Sequence, residues 1–315
     1  MKLNDCMIIC LGPTPALART MTFATITLDA VNRATKVHEF AAGKATNVAR
    51  VLHTLGERSL ASGFVGGDSG RRLQADLDRV GIVHDFVEVK PPTRVAITAI
   101  DESAGTATEL LEEAKPLDSA DYVSLLGKLS EHLKQAKLLV LSGRLPPAAN
   151  DDFYAQCVQL AGPAVRVIVD AVGPALLATL SHRPYVIKPN QSEIAQTMGI
   201  KIDSQPALQQ AMLELSQRGA QWVIVTRGSE ETLITNGQSY WSINTPKVKV
   251  ISAIGSGDAF AAGLAAALSR GDEMPQACKL AVACGAANAM TPYAGQVVPE
   301  NVEQLLGSIR MTKLP

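Results

Sequence analysis

The stretch over residues 250–260 holds the residue types with the clearest chemical potential in this sequence. Gly255 and Gly257 interrupt a β-branched run and are followed by Asp258 and an Ala- and Leu-rich segment. This pattern predicts a short strand, a glycine turn, and a helix whose first N–H groups, backed by the helix dipole, can bind an anion. A carboxylate beside such a turn repels an anion unless the carboxylate is there to take up a proton. The combination suggests phosphoryl transfer to a hydroxyl, with helix capping by Asp258 as the alternative.

A second group of polar residues follows an apolar run that ends at residue 187. Lys188 and Pro189 precede Asn190, and Glu193 lies three positions further on. A helix that starts here would place Asn190 and Glu193 on one face of its first turn. An amide oxygen and a carboxylate suit Mg²⁺, which proteins usually hold through its waters. The same spacing fits a helix-capping pair equally well.

Isolated polar residues add weaker signals. Arg94 and Arg144 are donors that suit phosphate, as is Ser142, although an isolated arginine is more often a solvated surface charge. Asp170 directly follows an apolar run. We interpret it as a turn former rather than as a site residue.

Two glycine-containing loops do not match known nucleotide fingerprints. Residues 42–47 lack the upstream glycine and the Ser or Thr directly after the lysine that a Walker A loop needs. Residues 66–70 lack the Gly-x-Gly-x-x-Gly order of a dinucleotide site. A Rossmann oxidoreductase is therefore disfavoured.

The elements that position these groups alternate between strands and helices. Apolar strands that end in polar or glycine turns are typical of a parallel sheet with helices on both faces. In such sheets ligands bind outside the carboxyl ends of the strands, which is where the polar groups fall. The predicted strands cover residues 6–11, 138–140, 165–169, 185–187 and 222–225, and the predicted helices cover residues 46–55, 121–135, 152–160, 206–218, 259–269 and 276–290.

Two stretches, about residues 13–40 and 86–112, interrupt this alternation. They are rich in Thr, Val and Ile and carry few helical signals. They predict a small separate β-sheet, which we expect to act as a lid over the site. Because the sequence shows no internal repeat or linker, we expect residues 1–315 to form a single domain with the lid segments inserted in it.

The composition limits the classes of function. The 315 residues are 47% hydrophobic, and the formal net charge is −1 at pH 7. This charge gives no general attraction to nucleic acid or to an anionic membrane. No apolar stretch reaches the roughly 20 residues that would span a bilayer. The cysteines lack metal-binding spacing and are interpreted as reduced core thiols of a cytoplasmic protein: Cys6, Cys10, Cys157, Cys278 and Cys284.

Several short motifs, taken in order, resemble those of one enzyme family. They lie at residues 14–17, 31–33, 43–50, 63–67, 93–94, 108–110, 141–147, 188–193, 255–258 and 291–292. Together they resemble the PfkB (ribokinase-like) carbohydrate kinases, within them the hexose-phosphate branch of 1-phosphofructokinase and tagatose-6-phosphate kinase. The resemblance covers nearly the whole chain. It implies a ribokinase-like, doubly wound α/β fold, and it favours a catalytic Asp258 over a capping one.

The resemblance implies a role for each matching residue on the phosphate-transfer side. Asp258 would be the base that takes the proton of the acceptor hydroxyl. The amides of Gly255, Ser256 and Gly257 would form the anion hole for the transferred phosphoryl group. Asn190 and Glu193 would organise Mg²⁺. The implied contacts of the ATP–Mg²⁺ pair are Lys188, Asn190, Glu193, Thr226 and Gly228, and Asn288 is a further candidate.

On the acceptor side, the resemblance implies contacts with a sugar and its phosphate. Gly43 and Asn47 match residues that contact sugar hydroxyls. Lys44, Arg94 and Ser142 match groups near the acceptor's own phosphate, to which we add Arg144.

Four positions depart from the family pattern. Ala18 stands where the family usually has the acid that grips sugar hydroxyls. Ala42 and Ala45 replace glycines of the Gly-Gly-Lys-Gly motif, and Glu231 replaces a glycine of the nucleotide loop. The phosphate-transfer end is therefore intact, while the sugar-reading end is altered.

These features lead to the hypothesis of an ATP- and Mg²⁺-dependent kinase of a sugar phosphate, either fructose 1-phosphate or tagatose 6-phosphate. The alternatives are a kinase of an unphosphorylated sugar or nucleoside, and a non-catalytic sugar-phosphate-binding regulator of the same fold. The resemblance also implies a homodimer joined through the lid. We expect no nucleic-acid or membrane partner.

Overall fold

The computed structural model describes residues 7–314, so Cys6, the first residue of the predicted first strand, lies outside it. The strands are β1 (Met7–Leu11), β2 (Ala16–Phe23), β3 (Lys36–Ala42), β4 (Ser59–Ser62), β5 (Phe64–Val65), β6 (Val87–Glu88), β7 (Arg94–Asp101), β8 (Thr106–Leu111), β9 (Ala136–Ser142), β10 (Arg166–Asp170), β11 (Val186–Ile187), β12 (Trp222–Val225), β13 (Thr232–Thr235), β14 (Tyr240–Ile243) and β15 (Met311–Leu314). The helices are α1 (Lys44–Thr54), α2 (Gly67–Val80), α3 (Ser119–Leu133), α4 (Phe153–Ala161), α5 (Pro174–Thr179), α6 (Gln191–Met198), α7 (Gln205–Gln217), α8 (Ser256–Ser269), α9 (Met274–Ala289) and α10 (Pro299–Ser308).

A nine-stranded sheet forms the centre of the molecule, in the order β4-β1-β9-β10-β11-β12-β13-β14-β15. The strands from β4 to β12 pair in parallel, and β13, β14 and β15 continue the sheet antiparallel. The prediction of a mostly parallel, doubly wound sheet is therefore confirmed.

Alternate residues of the parallel strands enter two separate hydrophobic cores. Ile8 and Val140 pack on one face with α1, α8 and α9, while Ile9 and Leu139 pack on the other with α3, α4 and α7. Because both faces are covered, the strands are apolar without interruption, which is the pattern that revealed them in the sequence.

A separate four-stranded sheet, in the order β3-β2-β7-β8, comes from the two stretches that lack helical signals. Strands β2 and β7 pair in parallel, and the two outer pairs are antiparallel. We call this sheet the lid. The start of the second predicted stretch contributes instead to a two-stranded sheet of β5 and β6. That residues 1–315 make up a single domain stays a prediction.

The strand predicted immediately before the glycine turn is wrong. Residues 250–254 form no strand, and the amides of Ile251 and Ser252 both donate to the carbonyl of Ala289, at 2.8 and 3.3 Å. The run crosses the C-terminal end of α9, where no strand lies beside it, and Val250 stays exposed. Helix α8 also starts at Ser256, so Gly257 and Asp258 belong to its first turn.

Four cysteines of the described chain are buried free thiols: Cys10, Cys157, Cys278 and Cys284. Among residues 7–314, no helix combines the length and apolarity needed to cross a membrane. The cytoplasmic location stays a prediction.

Candidate active site

A cleft of about 670 Å³ lies between the lid and the carboxyl ends of the central strands. The lid contributes residues such as Ala96, and the sheet contributes Gly143, Asp170, Lys188 and Thr226, each directly after a strand or at its last position. The parallel sheet thus gathers side chains that are far apart in sequence at one edge.

The glycine turn closes one wall of this cleft. Gly255 has φ +83°, and a Cβ there would lie 2.8 Å from the Cα of Ala294, so only glycine fits. The N–H of Ser256 donates to the carbonyl of Ala253 at 3.2 Å. The N–H groups of Gly255 and Gly257 donate to no acceptor within residues 7–314. The turn therefore presents two donors, beside a helix N-terminus, where an anion can bind.

Asp258 follows this turn and lines the same cleft, although it is only 6% exposed. Its Oδ2 accepts a hydrogen bond of 2.7 Å from Nδ2 of Asn47, on α1. Burial raises the pKa of Asp258 from 3.8 to about 6; Lys44 opposes this rise, and the charge of Asp170 adds to it. A carboxylate with such a pKa is ionised at neutral pH and is a better proton acceptor than an ordinary aspartate.

Asn47 offers a further polar atom at this point. Its Oδ1 is buried without a hydrogen-bond partner in the described chain, and the residue lines the cleft. A buried acceptor without a partner is costly, so it suits a donor supplied by a bound ligand, such as a sugar hydroxyl.

Asp170 is the centre of a buried ion network below the cleft. Its Oδ1 lies 3.3 Å from Nζ of Lys188 and 3.6 Å from Nζ of Lys44. Its Oδ2 accepts from the hydroxyl of Ser142 at 3.0 Å. The interpretation of Asp170 as a turn former does not agree with this arrangement, because the carboxylate points into the site and holds both lysines.

The charges of this network favour the ionised forms of Asp170 and Lys44. Burial alone would raise the pKa of Asp170, but the charges of Lys188 and Lys44 and the hydrogen bond from Ser142 hold it below the ordinary value. The pKa of Lys44 is raised, mainly by the charge of Asp170. Two cationic amines are thus fixed beside the cleft, where they can neutralise phosphate oxygens.

Asn190 and Glu193 form the capping box of α6 and also line the cleft. Oδ1 of Asn190 accepts from the amide of Glu193, and Oε2 of Glu193 accepts from the amide of Asn190, both at 2.8 Å. The other carboxylate oxygen, Oε1, lies 3.6 Å from Nζ of Lys44. The capping alternative for this motif is therefore confirmed, and the capping bonds fix both residues at the cleft wall, while the role in binding Mg²⁺ stays a prediction.

This donor set fits a metal held mainly by other ligands. Among residues 7–314, no three His, Cys, Asp or Glu residues are grouped so as to hold a metal ion. Oε1 of Glu193 accepts no hydrogen bond in the described chain and faces the cleft. One carboxylate and one amide oxygen suit hydrated Mg²⁺, which keeps several waters and takes its remaining ligands from substrate phosphates.

Basic and acidic side chains meet at the lid end of the cleft. Arg94 and Arg144 both line it, and the guanidinium of Arg94 donates to the carbonyls of Thr14 and of Glu112, at 3.3 and 3.4 Å. Burial lowers the pKa of Arg94, while the nearby carboxylates of Glu113 and Glu109 oppose that change.

Four of the predicted site residues lie behind the cleft wall or beside it, while the others contribute to the lining. Ser142 reaches the site through Asp170. Asn288 is fully buried; its Nδ2 donates to the carbonyl of Ile254 at 2.9 Å, and its Oδ1 accepts from the amide of Gly295 at 2.9 Å. The predicted residues outside the lining are Ser142, Gly228, Ser256 and Asn288, and those within it are Gly43, Lys44, Asn47, Arg94, Arg144, Lys188, Asn190, Glu193, Thr226, Gly255, Gly257 and Asp258.

Sequence reasoning missed Asp170 and the lid residues Thr98 and Glu109 as lining residues. Asp170 carried a usable signal, because it ends a strand at the same sheet edge as Ser142 and Lys188. Glu109 lies in the motif at residues 108–110, but the motif alone gave it no role. Thr98 carried no signal, since the direction of its side chain depends on the strand register of the lid.

Comparison with known proteins agrees with this fold. The profile of the pfkB family carbohydrate kinases matches residues 8–301. The chain therefore belongs to the pfkB family of carbohydrate kinases. It is a phosphotransferase that acts on a hydroxyl of a sugar or sugar phosphate, and membership of this family implies the use of ATP with a metal ion.

Three solved structures illustrate the similarity. A candidate phosphofructokinase from Staphylococcus aureus is 27% identical, with a TM-score of 0.81 and coverage of 98% of this chain and 99% of the other. A candidate 1-phosphofructokinase from Thermotoga maritima is 23% identical, with a TM-score of 0.89 and coverage of 98% and 100%. Phosphofructokinase-2 from Escherichia coli, in complex with fructose 6-phosphate, is 24% identical, with a TM-score of 0.86 and coverage of 96% and 98%. The expected ribokinase-like fold is confirmed.

Proposed function

We propose that this protein transfers the γ-phosphoryl group of ATP, with Mg²⁺, to a hydroxyl of a hexose phosphate such as fructose 1-phosphate or tagatose 6-phosphate. The observation that carries this proposal is the joint position of three features in one cleft. A buried carboxylate with a raised pKa, Asp258, lies at a glycine turn with two free amides, and the basic residues Arg94 and Arg144 line the other end.

In this proposal each residue has a role that its position supports. Asp258 accepts the proton of the acceptor hydroxyl, and Asn47 orients both that hydroxyl and the carboxylate. The amides of Gly255 and Gly257 stabilise the charge on the phosphoryl oxygens, and one such donor is typically worth on the order of 3 kcal/mol. Lys44 and Lys188, held by Asp170, neutralise phosphate charge. Phosphoryl transfer needs mainly alignment and charge neutralisation, which these groups supply.

Asn190 and Glu193 are the residues that would hold Mg²⁺, through its waters. The ion would neutralise charge on the phosphates of ATP when bound. Thr226 lies at the same wall, bridged to Asn190 in the sheet, and would contact the nucleotide. We also assign Gly228 to the nucleotide side.

The proposal that the acceptor carries a phosphate can be tested with a variant of Arg94. Coupled ADP release is measured with fructose 1-phosphate, fructose 6-phosphate, tagatose 6-phosphate and their unphosphorylated sugars. Arg94→Ala should raise KM for the sugar phosphate about 10- to 100-fold, the loss of one charged hydrogen bond. KM for ATP should stay unchanged. The control is Arg71→Ala, at an exposed arginine of α2 that pairs with Asp68. Folded wild-type protein that turns over no member of the panel would contradict the proposal.

One observation favours a second candidate, a kinase of an unphosphorylated sugar or nucleoside. The carboxylates of Glu109 and Glu113 lie close enough to Arg94 to offset part of its positive charge. This alternative predicts turnover of an unphosphorylated acceptor that survives Arg94→Ala. The same panel separates the two candidates.

We further propose a homodimer joined through the lid. Large apolar side chains are exposed on the lid and on the loop that joins β2 to β3, with Leu28 90%, Val31 80%, Leu110 59% and Val37 52% exposed. Covering such a patch is the usual way in which a protein removes it from water. Analytical ultracentrifugation should show a dimer for the wild type and a monomer for Leu28→Ser combined with Val31→Ser. A monomeric wild type at micromolar concentration would contradict this assembly.

A further inference from the structure

The inner face of the lid carries one continuous apolar row. The strand registers place Phe40, Ala18, Ala96 and Leu111 side by side on four adjacent strands. All four line the cleft. Adjacent strands are about 4.8 Å apart, so the row is about 14 Å wide.

The two rows that flank this apolar row differ. On one side Ala42 and Ala16 pair beside Arg94, which is the polar residue of that row, and on the other side the row is polar. On β7, Arg94 lies two residues before Ala96, and Thr98 lies two residues after it. Glu109 of β8 pairs with Thr98. Two residues along a strand span about 7 Å. A ligand whose phosphate binds Arg94 therefore lays the carbon atoms next to that phosphate over Ala18 and Ala96.

The row has no hydrogen-bonding side chain for a hydroxyl. Only methyl groups, the Leu111 side chain and the Phe40 ring face the cleft along it, and Leu111 is 51% exposed. A hydroxyl buried against this surface would lose its water without gaining a partner, which costs about 1–3 kcal/mol. A hydrogen atom in its place would pack against the methyl groups.

We propose that the preferred acceptor is a deoxy-sugar phosphate, which presents a CH₂ or CH₃ group, and no hydroxyl, to the row of Phe40, Ala18, Ala96 and Leu111. The inference rests on the proposed sugar-phosphate kinase function and specifies its substrate class. The phosphate binds at Arg94, the deoxygenated carbon lies over Ala18 and Ala96, and a remaining hydroxyl donates to the carboxylate of Glu109.

The test compares matched acceptors. Each hexose phosphate that the wild type phosphorylates is assayed beside the derivatives in which one hydroxyl, other than the one phosphorylated, is replaced by hydrogen. For one position of the sugar, the deoxy derivative should have a kcat/KM about 10- to 100-fold higher than its parent, the discrimination that an apolar pocket achieves against an added hydroxyl. Equal or lower values for every deoxy derivative would overturn the inference.

Two variants and a control test whether the apolar row causes the preference. Ala18→Asp places a hydrogen-bond acceptor in the row and should reverse the preference toward the hydroxylated parent. Ala96→Ser offers a smaller, uncharged partner and should reduce the preference even if Ala18→Asp does not fold. The control is Ala120→Asp, at an exposed position of α3 outside the lid, and it should leave the preference unchanged. A preference that persists in both folded row variants would also overturn the inference.

The outcomes separate this inference from the function on which it rests. If no sugar phosphate of either kind is phosphorylated, the proposed function fails. If hydroxylated sugar phosphates are phosphorylated and none of their deoxy derivatives is preferred, the kinase function stands and only the deoxy-sugar assignment fails.

Discussion

At the scale of the residue, the pKa of Asp258 follows from five influences. Burial disfavours its charged form, and the charge of Asp170 does the same, while Lys44, the hydrogen bond from Asn47 and Lys188 favour ionisation. The result is a pKa of about 6, near the working pH, where a general base is most effective. The ion network below the cleft thus sets the strength of the base as well as the position of the lysines.

This balance predicts opposite pH shifts for two neutralising variants. Asp170→Asn removes a charge that raises the pKa of Asp258, so the acid limb of kcat/KM should move to lower pH. Lys44→Met removes a charge that lowers this pKa, so the limb should move to higher pH. The measurement is the pH dependence of kcat/KM between pH 4.5 and 8 in both variants and in the wild type.

The comparison of variants also identifies the titrating group. The second ionisation of a sugar phosphate falls near pH 6 as well. A limb caused by the substrate would stay at one pH in all three proteins. Such an unmoved limb would contradict the assignment of Asp258 as the titrating base.

At the scale of the element, the two glycines of the turn before α8, where we propose that an anion binds, are required for different reasons. Gly255 is required by a positive φ and by the backbone of the Ala294 loop. Neither a positive φ nor a close backbone contact requires glycine at position 257, since a Cβ there would meet only Nζ of Lys188, at 3.7 Å. The absence of a side chain at Gly257 instead leaves space on the cleft side of the helix.

Alanine substitutions should therefore separate folding from function. Gly255→Ala should lower the melting temperature, because a Cβ at 2.8 Å forces Ala294 to move and φ +83° is strained for alanine. Gly257→Ala should keep the wild-type melting temperature and lose at least tenfold in kcat, because the methyl group would enter the space where we propose that the phosphoryl group binds. Thermal unfolding and steady-state kinetics check both. Equal thermal stability of the two variants would contradict this division.

The sequence predicts some elements well and others poorly, for identifiable reasons. Buried parallel strands were found because they are apolar throughout and end in polar turns, and this also located Lys188 and Asn190. The strand at residues 250–254 was wrong because β-branched residues occur equally in an extended crossing with no neighbouring strand. Helix α2 was missed because its first residues, from Gly67, resemble a loop, although Leu73 and Leu77 have helical spacing.

Features of the site could likewise be predicted from the sequence only where the residues that form them are close together in the chain. Asp258 could be predicted because the residues that define its role are adjacent in sequence. The apolar row of the lid could not, because it joins four strands, and the register of those strands is set by pairing in three dimensions.

At the scale of the whole molecule, the buried carboxylate of Asp258, which we propose is the catalytic base, should reduce the stability of the fold. The pKa of Asp258 is higher in the folded than in the unfolded protein, so the folded state binds more protons between about pH 4 and pH 6. The buried charge of Asp258 therefore does not lower the free energy of unfolding below pH 4, and it lowers this free energy by its full amount above pH 6. A rise from 3.8 to about 6 corresponds to about 3 kcal/mol at most.

Asp258→Asn should therefore raise the free energy of unfolding at pH 7.5, by about 1–3 kcal/mol, because the neutral amide keeps the shape without the buried charge. At pH 4 the difference from the wild type should largely disappear. Urea denaturation at the two pH values measures both quantities. A variant that is less stable than the wild type at pH 7.5 would show that the charge is well compensated in the folded protein.

The most direct test of the central claim, that Asp258 is the base for phosphoryl transfer, is the turnover of Asp258→Asn. ADP release that depends on the acceptor is measured at pH 7.5 with the best substrate of the panel, after nucleotide binding to the variant has been verified. A positioned base contributes about 10²- to 10⁴-fold, so kcat should fall by at least 100-fold while nucleotide binding persists. A folded variant that keeps wild-type kcat would contradict the claim.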